Sequence, residues 1–114
     1  MPGDIDSVLD IIAAANQIEE YLQGATREIL ELDTMRADAV VRRLEIIGEA
    51  TKRLSSELRA QHREIPWKRI AGIRDVLIHA YDHVDLDLVW SIATKDLPDL
   101  VSALGHLVPN SAEE

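Results

Sequence analysis

Seven positions constrain this chain more than any others. Ala37, Val40, Leu44, Ile47, Thr51, Leu54 and Leu58 recur at alternating spacings of three and four. An α-helix turns once every 3.6 residues, so such a run lines up on one side of a helix. Three heptads of this seam predict a second long helix through the middle of the chain, and that helix needs partners to cover its apolar side. The flanking sequence has the same periodicity. Ile5, Val8, Ile12, Ala15, Tyr21 and Leu22 lie close to one stripe of a first helix, with Asp4 or Asp6 near its start and Gly24 at its stop. "ATREILELDT" has room for one or two further helical turns.

After the seam, "HREIPW" interrupts the pattern, and Pro66 suits the first turn of a third helix running from about Pro66 to Ile78. Asp85 is placed to cap a fourth, whose apolar positions are Leu86, Trp90, Ala93, Leu97, Leu100, Leu104 and Leu107. Pro98 lies inside that run and predicts a kink or split near Lys95. Strand signals are missing: there is no Phe, little Thr and no glycine-rich hairpin turn. The expected fold is all-α, an antiparallel bundle of four to five helices in one domain over residues 1–109, with 110–114 as a frayed tail. The seams are long and narrow for a chain of 114 residues, which favours a homodimer in which a second copy completes one of them. The competing reading is a monomer whose helices satisfy one another.

Composition narrows the chemistry. Without cysteine the chain forms no disulfide and no thiolate metal site. Its N-terminal stretch has acids and no base, unlike a signal peptide, and no apolar run approaches the roughly 20 residues that span a bilayer. A cytoplasmic protein with no membrane partner is expected. The net charge of −9 argues against nucleic acid, but it is unevenly spread. Residues 34–74 hold ten Lys/Arg against five acids, whereas each flank holds eight acids and one base. The plain alternative is a basic helix paired with acidic neighbours.

The positive region ends at Arg74, where "RDVLIHAYDHVD" begins. There is no phosphate-cradling glycine loop, nucleophile elbow or cysteine nucleophile anywhere in the chain. His79 and His83, four apart, with Asp82 and Asp85, have the residue types of a metal site, but a helix end at this point breaks the geometry. No metal or other cofactor is expected. Arg74 and His79 offer something else. Imidazole exchanges protons near neutral pH, and guanidinium grips phosphate oxygens in a fork. Together they supply what RNA cleavage by the 2′-hydroxyl needs, provided a second acid protonates the leaving 5′-oxygen. Two copies of His79 across a dimer axis would supply both roles. Five residues rotate about 140° on a helix, so Arg74 and His79 converge only if the helix ends between them or if a dimer brings them together. Asp75, four before His79, would raise the imidazole pKa if the helix continues. The structural alternative pairs Arg74 and His79 with local carboxylates or carbonyls.

Arg74, four residues, His79, one residue and Tyr81 resemble the signature of HepT-like toxins, metal-independent ribonucleases of the all-helical HEPN superfamily. "RRLEIIGEATKRLSSELR", "IPWKRIAGIRDVLIHAYDHVDLDLVW" and "DLPDL" follow the family's pattern in the same order, so the likeness covers roughly residues 5–107. It implies a homodimer with both Arg–His motifs in an interface cleft, Arg74 polarising phosphate and His79 acting as general acid and base on an RNA substrate. It implies an MntA-like nucleotidyltransferase antitoxin that transfers AMP to Tyr81 and so blocks the cleft. One departure stands out: the residue after the motif Arg is commonly Asn, and here it is Asp75, which would either repel substrate phosphate or orient and charge His79. Arg42, Arg43, Arg53, Arg69 and Arg74 are candidates for a local basic surface, although adjacent Arg42 and Arg43 cannot face the same way. The alternative from another class is a non-catalytic helical module that binds and supports a nucleotidyltransferase.

Overall fold

All seven seam residues are buried, but they do not belong to one helix. The computed structural model describes residues 2–73, 75 and 84–108. In chain order its helices are α1 (Pro2–Tyr21), α2 (Arg27–Leu32), α3 (Thr34–Lys52), α4 (Ser56–Gln61), α5 (Trp67–Ala71), α6 (Leu86–Ser91) and α7 (Leu97–Leu104). A π-helical turn (Ile92–Asp96) joins α6 to α7, and a 3-10 turn (Gly105–Leu107) follows. No strand occurs among the described residues. The all-helical expectation therefore holds, with more and shorter helices than periodicity alone suggests.

The expected second helix stops at Lys52, and its seam continues across a corner into α4. Ser55 makes that corner. Its hydroxyl accepts from Leu58 N at 3.1 Å, so it caps α4, and serine side chains favour such caps over helix interiors. Leu54 and Leu58 stay buried because the corner folds the seam back onto the same core. Thr51 sits within the apolar seam at no polar cost, since its hydroxyl donates to Ile47 O at 2.7 Å.

α1 and α3 form the central pair and run antiparallel: Asp4, at the start of α1, meets Ser55 beyond the end of α3, and Asp10 lies 3.5 Å from Arg53. The buried side of α1 differs from the expected stripe. Asp4, Ser7, Val8, Ile11, Ala14, Ala15 and Ile18 point inward, while Ile5 and Leu9 are exposed and Ile12 is half-buried. The cause is polar. The Asp4 carboxylate accepts from Ser55 N at 2.8 Å and Ser55 Oγ at 2.7 Å, and this contact holds α1 with Asp4 on its inner side. Each fully buried Leu or Ile of this core contributes roughly 1.5–3 kcal/mol through removal from water.

The last helix shows why Pro98 is tolerated. Proline has no N–H to continue an α-helical ladder. The chain widens into the π turn, where Leu97 N reaches Ile92 O, and Pro98 falls in the opening turn of α7. The expected split near Lys95 is thus a π turn. Its extra residue shifts the helix phase, so Val89 replaces Trp90 on the core side upstream. Asp85 caps α6 as expected, accepting from Leu88 N at 3.1 Å. α2 closes the other end: Arg27 contacts Asp87 of α6 at 2.6 Å and Glu31 at 3.0 Å. No described helix is long and apolar enough to cross a membrane.

Candidate functional site

Arg74, His79 and Tyr81 lie outside the described residues, as do Asp82, His83 and the expected helix end near Ile78. The structure instead defines the frame on either side of Arg74, because Ile73 and Asp75 are both described. Three contacts set that frame.

The first is at the start of α5. Pro66 occupies the capping position, one residue earlier than expected, and Trp67 is the first helical residue. The Trp67 indole N–H is shared between Arg59 O at 3.0 Å and His62 O at 2.9 Å. One side chain thereby ties α5 to the end of α4. The second contact is the approach of α5 to α3. A Cβ at Gly48 would stand 2.9 Å from Ile73 Cγ2 and 3.2 Å from Ile70 O, so only glycine lets the helices meet this closely. Ile70 and Ile73 are fully buried as a result. The residue directly before Arg74 is therefore an anchored core residue.

The third contact involves Arg69. Its Nε lies 3.1 Å from Asp96 Oδ2, and its Nη2 lies 3.5 Å from Ser91 Oγ. That carboxylate oxygen receives no aligned hydrogen bond, so the first contact is charge against charge. Arg69, expected to support substrate, here links α5 to the π turn. Asp75 is helical and exposed.

The expected basic surface is partly neutralised. Arg42 pairs with Glu45 at 3.7 Å, Arg53 with Asp10 at 3.5 Å, and Arg69 with Asp96. Arg42 is exposed while Arg43 is half-buried with its Nε out of solvent, as adjacent helix positions require. Among the described residues no group of three or more His, Asp or Glu side chains is arranged to hold a metal. An open groove of about 700 Å³ separates α1 from the π turn and α7, but Glu19 and Glu20 on its edge make it a poor seat for a polyanion.

Comparison with known sequences adds the decisive observation: the description "Ribonuclease HepT-like" matches residues 11–107. The chain belongs to the HepT-like ribonuclease family. It is 41% identical over 95 residues to a probable ribonuclease HepT of Thermococcus cleftensis, covering 83% of this chain and 86% of that one. It is 38% identical over 112 residues to a protein of Methanocaldococcus jannaschii named "Putative RNase", covering 97% of each. A longer protein of the same organism, named "Gamma-glutamylcyclotransferase and putative RNase", is 44% identical over 90 residues, which are 79% of this chain but 40% of that one. No solved structure matches the chain.

Arg74, Asp75, His79 and Tyr81 all fall inside the span that matches the HepT-like family, and so do Gly48, Trp67, Ile70 and Ile73. Sequence reasoning did not single out the first two of that framing set. An isolated glycine within the strongest helical seam was the available signal, since such a residue costs helix stability and usually marks close packing. Trp67 had no comparable mark, because its role rests on carbonyls that become neighbours only after α4 and α5 fold together.

Proposed function

We propose that the chain is a metal-independent endoribonuclease toxin that acts as a homodimer through Arg74 and His79. The observation that carries this reading is the family match across residues 11–107, with Arg74, His79 and Tyr81 at the family's spacing inside it. The frame described above favours it further. Buried Ile73 and the Gly48 contact hold the chain firmly at the residue before Arg74, and catalysis rewards firm placement of its groups.

In this mechanism His79 of one copy takes the proton of an RNA 2′-hydroxyl. The freed oxygen attacks the adjacent phosphorus, and the bond from phosphorus to the 5′-oxygen breaks. His79 of the second copy gives that leaving oxygen a proton, so the products are a 2′,3′-cyclic phosphate and a 5′-hydroxyl. The two Arg74 guanidinium groups stabilise the charge that builds on the phosphoryl oxygens. Asp75 beside this charge would either hold His79 in its protonated form or weaken substrate binding. Control is assigned to Tyr81: an MntA-like nucleotidyltransferase antitoxin would attach AMP there, placing an anionic group where RNA must enter.

Arg74→Ala and His79→Ala should each lower RNA cleavage in EDTA by at least about a hundredfold, in keeping with general acid–base and charge-stabilising roles. Both should also relieve growth inhibition when the chain is expressed alone, with thermal unfolding unchanged. Undiminished cleavage by either variant would remove these residues from the mechanism. If the wild-type chain neither cleaves RNA nor inhibits growth, the non-catalytic partner of a nucleotidyltransferase becomes the better account.

A further inference from the structure

Residues 53–69 hold five Lys/Arg against two Glu in a chain of net charge −9. The structure separates these cations into two groups. Arg53 and Arg69 are taken by Asp10 and Asp96. Arg59, Arg63 and Lys68 have no carboxylate within 4.0 Å among the described residues, and Arg63 and Lys68 are exposed. Of the corner's two acids, Glu64 lies 3.7 Å from His62 and Glu57 is exposed on α4.

These three cations are gathered by one contact. The Trp67 indole N–H bonds to the carbonyls of Arg59 and His62, which brings the end of α4 against the start of α5. Arg59, Arg63 and Lys68 then belong to the same α4–α5 corner, whose half-buried Trp67 packs against the core. The corner also lies close to the motif in the chain. Lys68 and Asp75 are both exposed, and the cap of α5, Gly72, stands between them in the chain. Seven positions separate Lys68 from Asp75, the neighbour of Arg74, which keeps the two within about 25 Å of each other.

We propose that the α4–α5 corner, through Arg59, Arg63 and Lys68, binds the phosphates of single-stranded RNA flanking the scissile bond. Its role as a substrate track rests on the RNA-cleaving reading above. Cations without a carboxylate partner among the described residues suit a polyanion, and their place a few residues before Arg74 in the chain suits a strand that continues past the reacting phosphate. The corner would supply affinity without sequence preference, because contacts to phosphate carry no base information. It also answers how a chain of net charge −9 engages RNA: the positive charge is local and is left unneutralised where the strand runs.

The test uses full-length His79→Ala protein, which holds RNA without cutting it, and a labelled oligouridylate as the probe. Adding Arg59→Gln, Arg63→Gln and Lys68→Gln should weaken binding about tenfold or more. It should also reduce the slope of log affinity against log salt by about 2, since each lost phosphate contact on a single strand removes about 0.7. A charge-matched control, Arg36→Gln, Lys52→Gln and Lys95→Gln, should retain most of the affinity and the slope. Equal losses in the two triple variants would overturn the proposal in favour of a general effect of net charge. Unchanged binding by the corner variant, or a change only in self-association measured by sedimentation, would also overturn it, the latter making the corner a protein interface. The cleavage assay on the parent chain is read separately. Binding that depends on the corner supports an RNA surface there even if the parent cuts nothing, whereas active parent chain with corner-independent binding leaves only the catalytic reading.

Discussion

At Ser55 one hydroxyl works in two directions, accepting from Leu58 N to cap α4 and donating to the buried Asp4 carboxylate. Ser55→Ala should therefore lower stability by about 1–2 kcal/mol, the usual range for a lost cap and a lost charge-assisted bond. Its pH dependence identifies the partner. The Ser55 hydroxyl, more than any other group, holds the Asp4 carboxyl below its ordinary value of 3.8, against the opposing effect of burial. A folded-state pKa below the unfolded one gives stabilisation that is complete above the unfolded value and is lost as pH falls through the folded value. Urea melts should show a constant gap between wild type and Ser55→Ala near neutrality and a narrower gap below pH 3.8. A gap that stays constant into acid would mean the cap to Leu58 accounts for the whole effect. Thr51 makes a useful contrast. Its hydroxyl bonds only to a carbonyl four residues back, so Thr51→Val should change stability by no more than about 1 kcal/mol in either direction.

Among the elements, α5 has the most bearing on activity, and it is short. Trp67, Gly48 and the Arg69–Asp96 pair compensate for its single turn and a half by holding it at three points. Gly48→Ala sets two effects against each other. Alanine favours the helix by about 1 kcal/mol, but its Cβ must displace a branched Ile73 methyl and a backbone carbonyl, at a typical cost of 1–3 kcal/mol. Because neither neighbour yields easily, the variant should be no more stable than wild type, and its RNA cleavage should fall more than its melting temperature. Wild-type cleavage in Gly48→Ala would show that the spacing of α3 and α5 does not govern Arg74. The elements also show what was legible beforehand. The Ala37–Leu58 seam was read correctly residue by residue because its spacing is a property of the chain itself. The rotation of α1 was not, since it depends on a bond between residues 51 positions apart, and the corner at Ser55 was hidden by a seam whose spacing continues unbroken across a local cap. Arg69, a substrate-supporting candidate in the sequence, pairs in the fold with Asp96, which becomes a neighbour only there. Arg74, His79 and Tyr81 were read from spacing and family likeness, and the frame around them adds what spacing could not carry.

Over the whole molecule, the proposed dimer makes its own prediction. If each cleavage uses His79 from both copies, mixing wild-type chain with His79→Ala chain should lower activity with the square of the wild-type fraction. Two independent sites, or an active monomer, would give a decline in simple proportion, which turnover assays on mixed and re-equilibrated samples can distinguish. One local irregularity also acts on this larger scale. The π turn inserts a residue beyond what an α-helical path from Leu86 to Leu104 would use. The phase of α6 relative to α7 is thus set by the helical defect between them. Deleting one residue within Ile92–Asp96 would turn α6 by about 100° relative to α7, carrying Val89 away from the core and Asp87 away from Arg27. In evolutionary terms, a one-residue indel in the π turn is a means of changing which face of α6 meets the core without altering any residue of α6 itself.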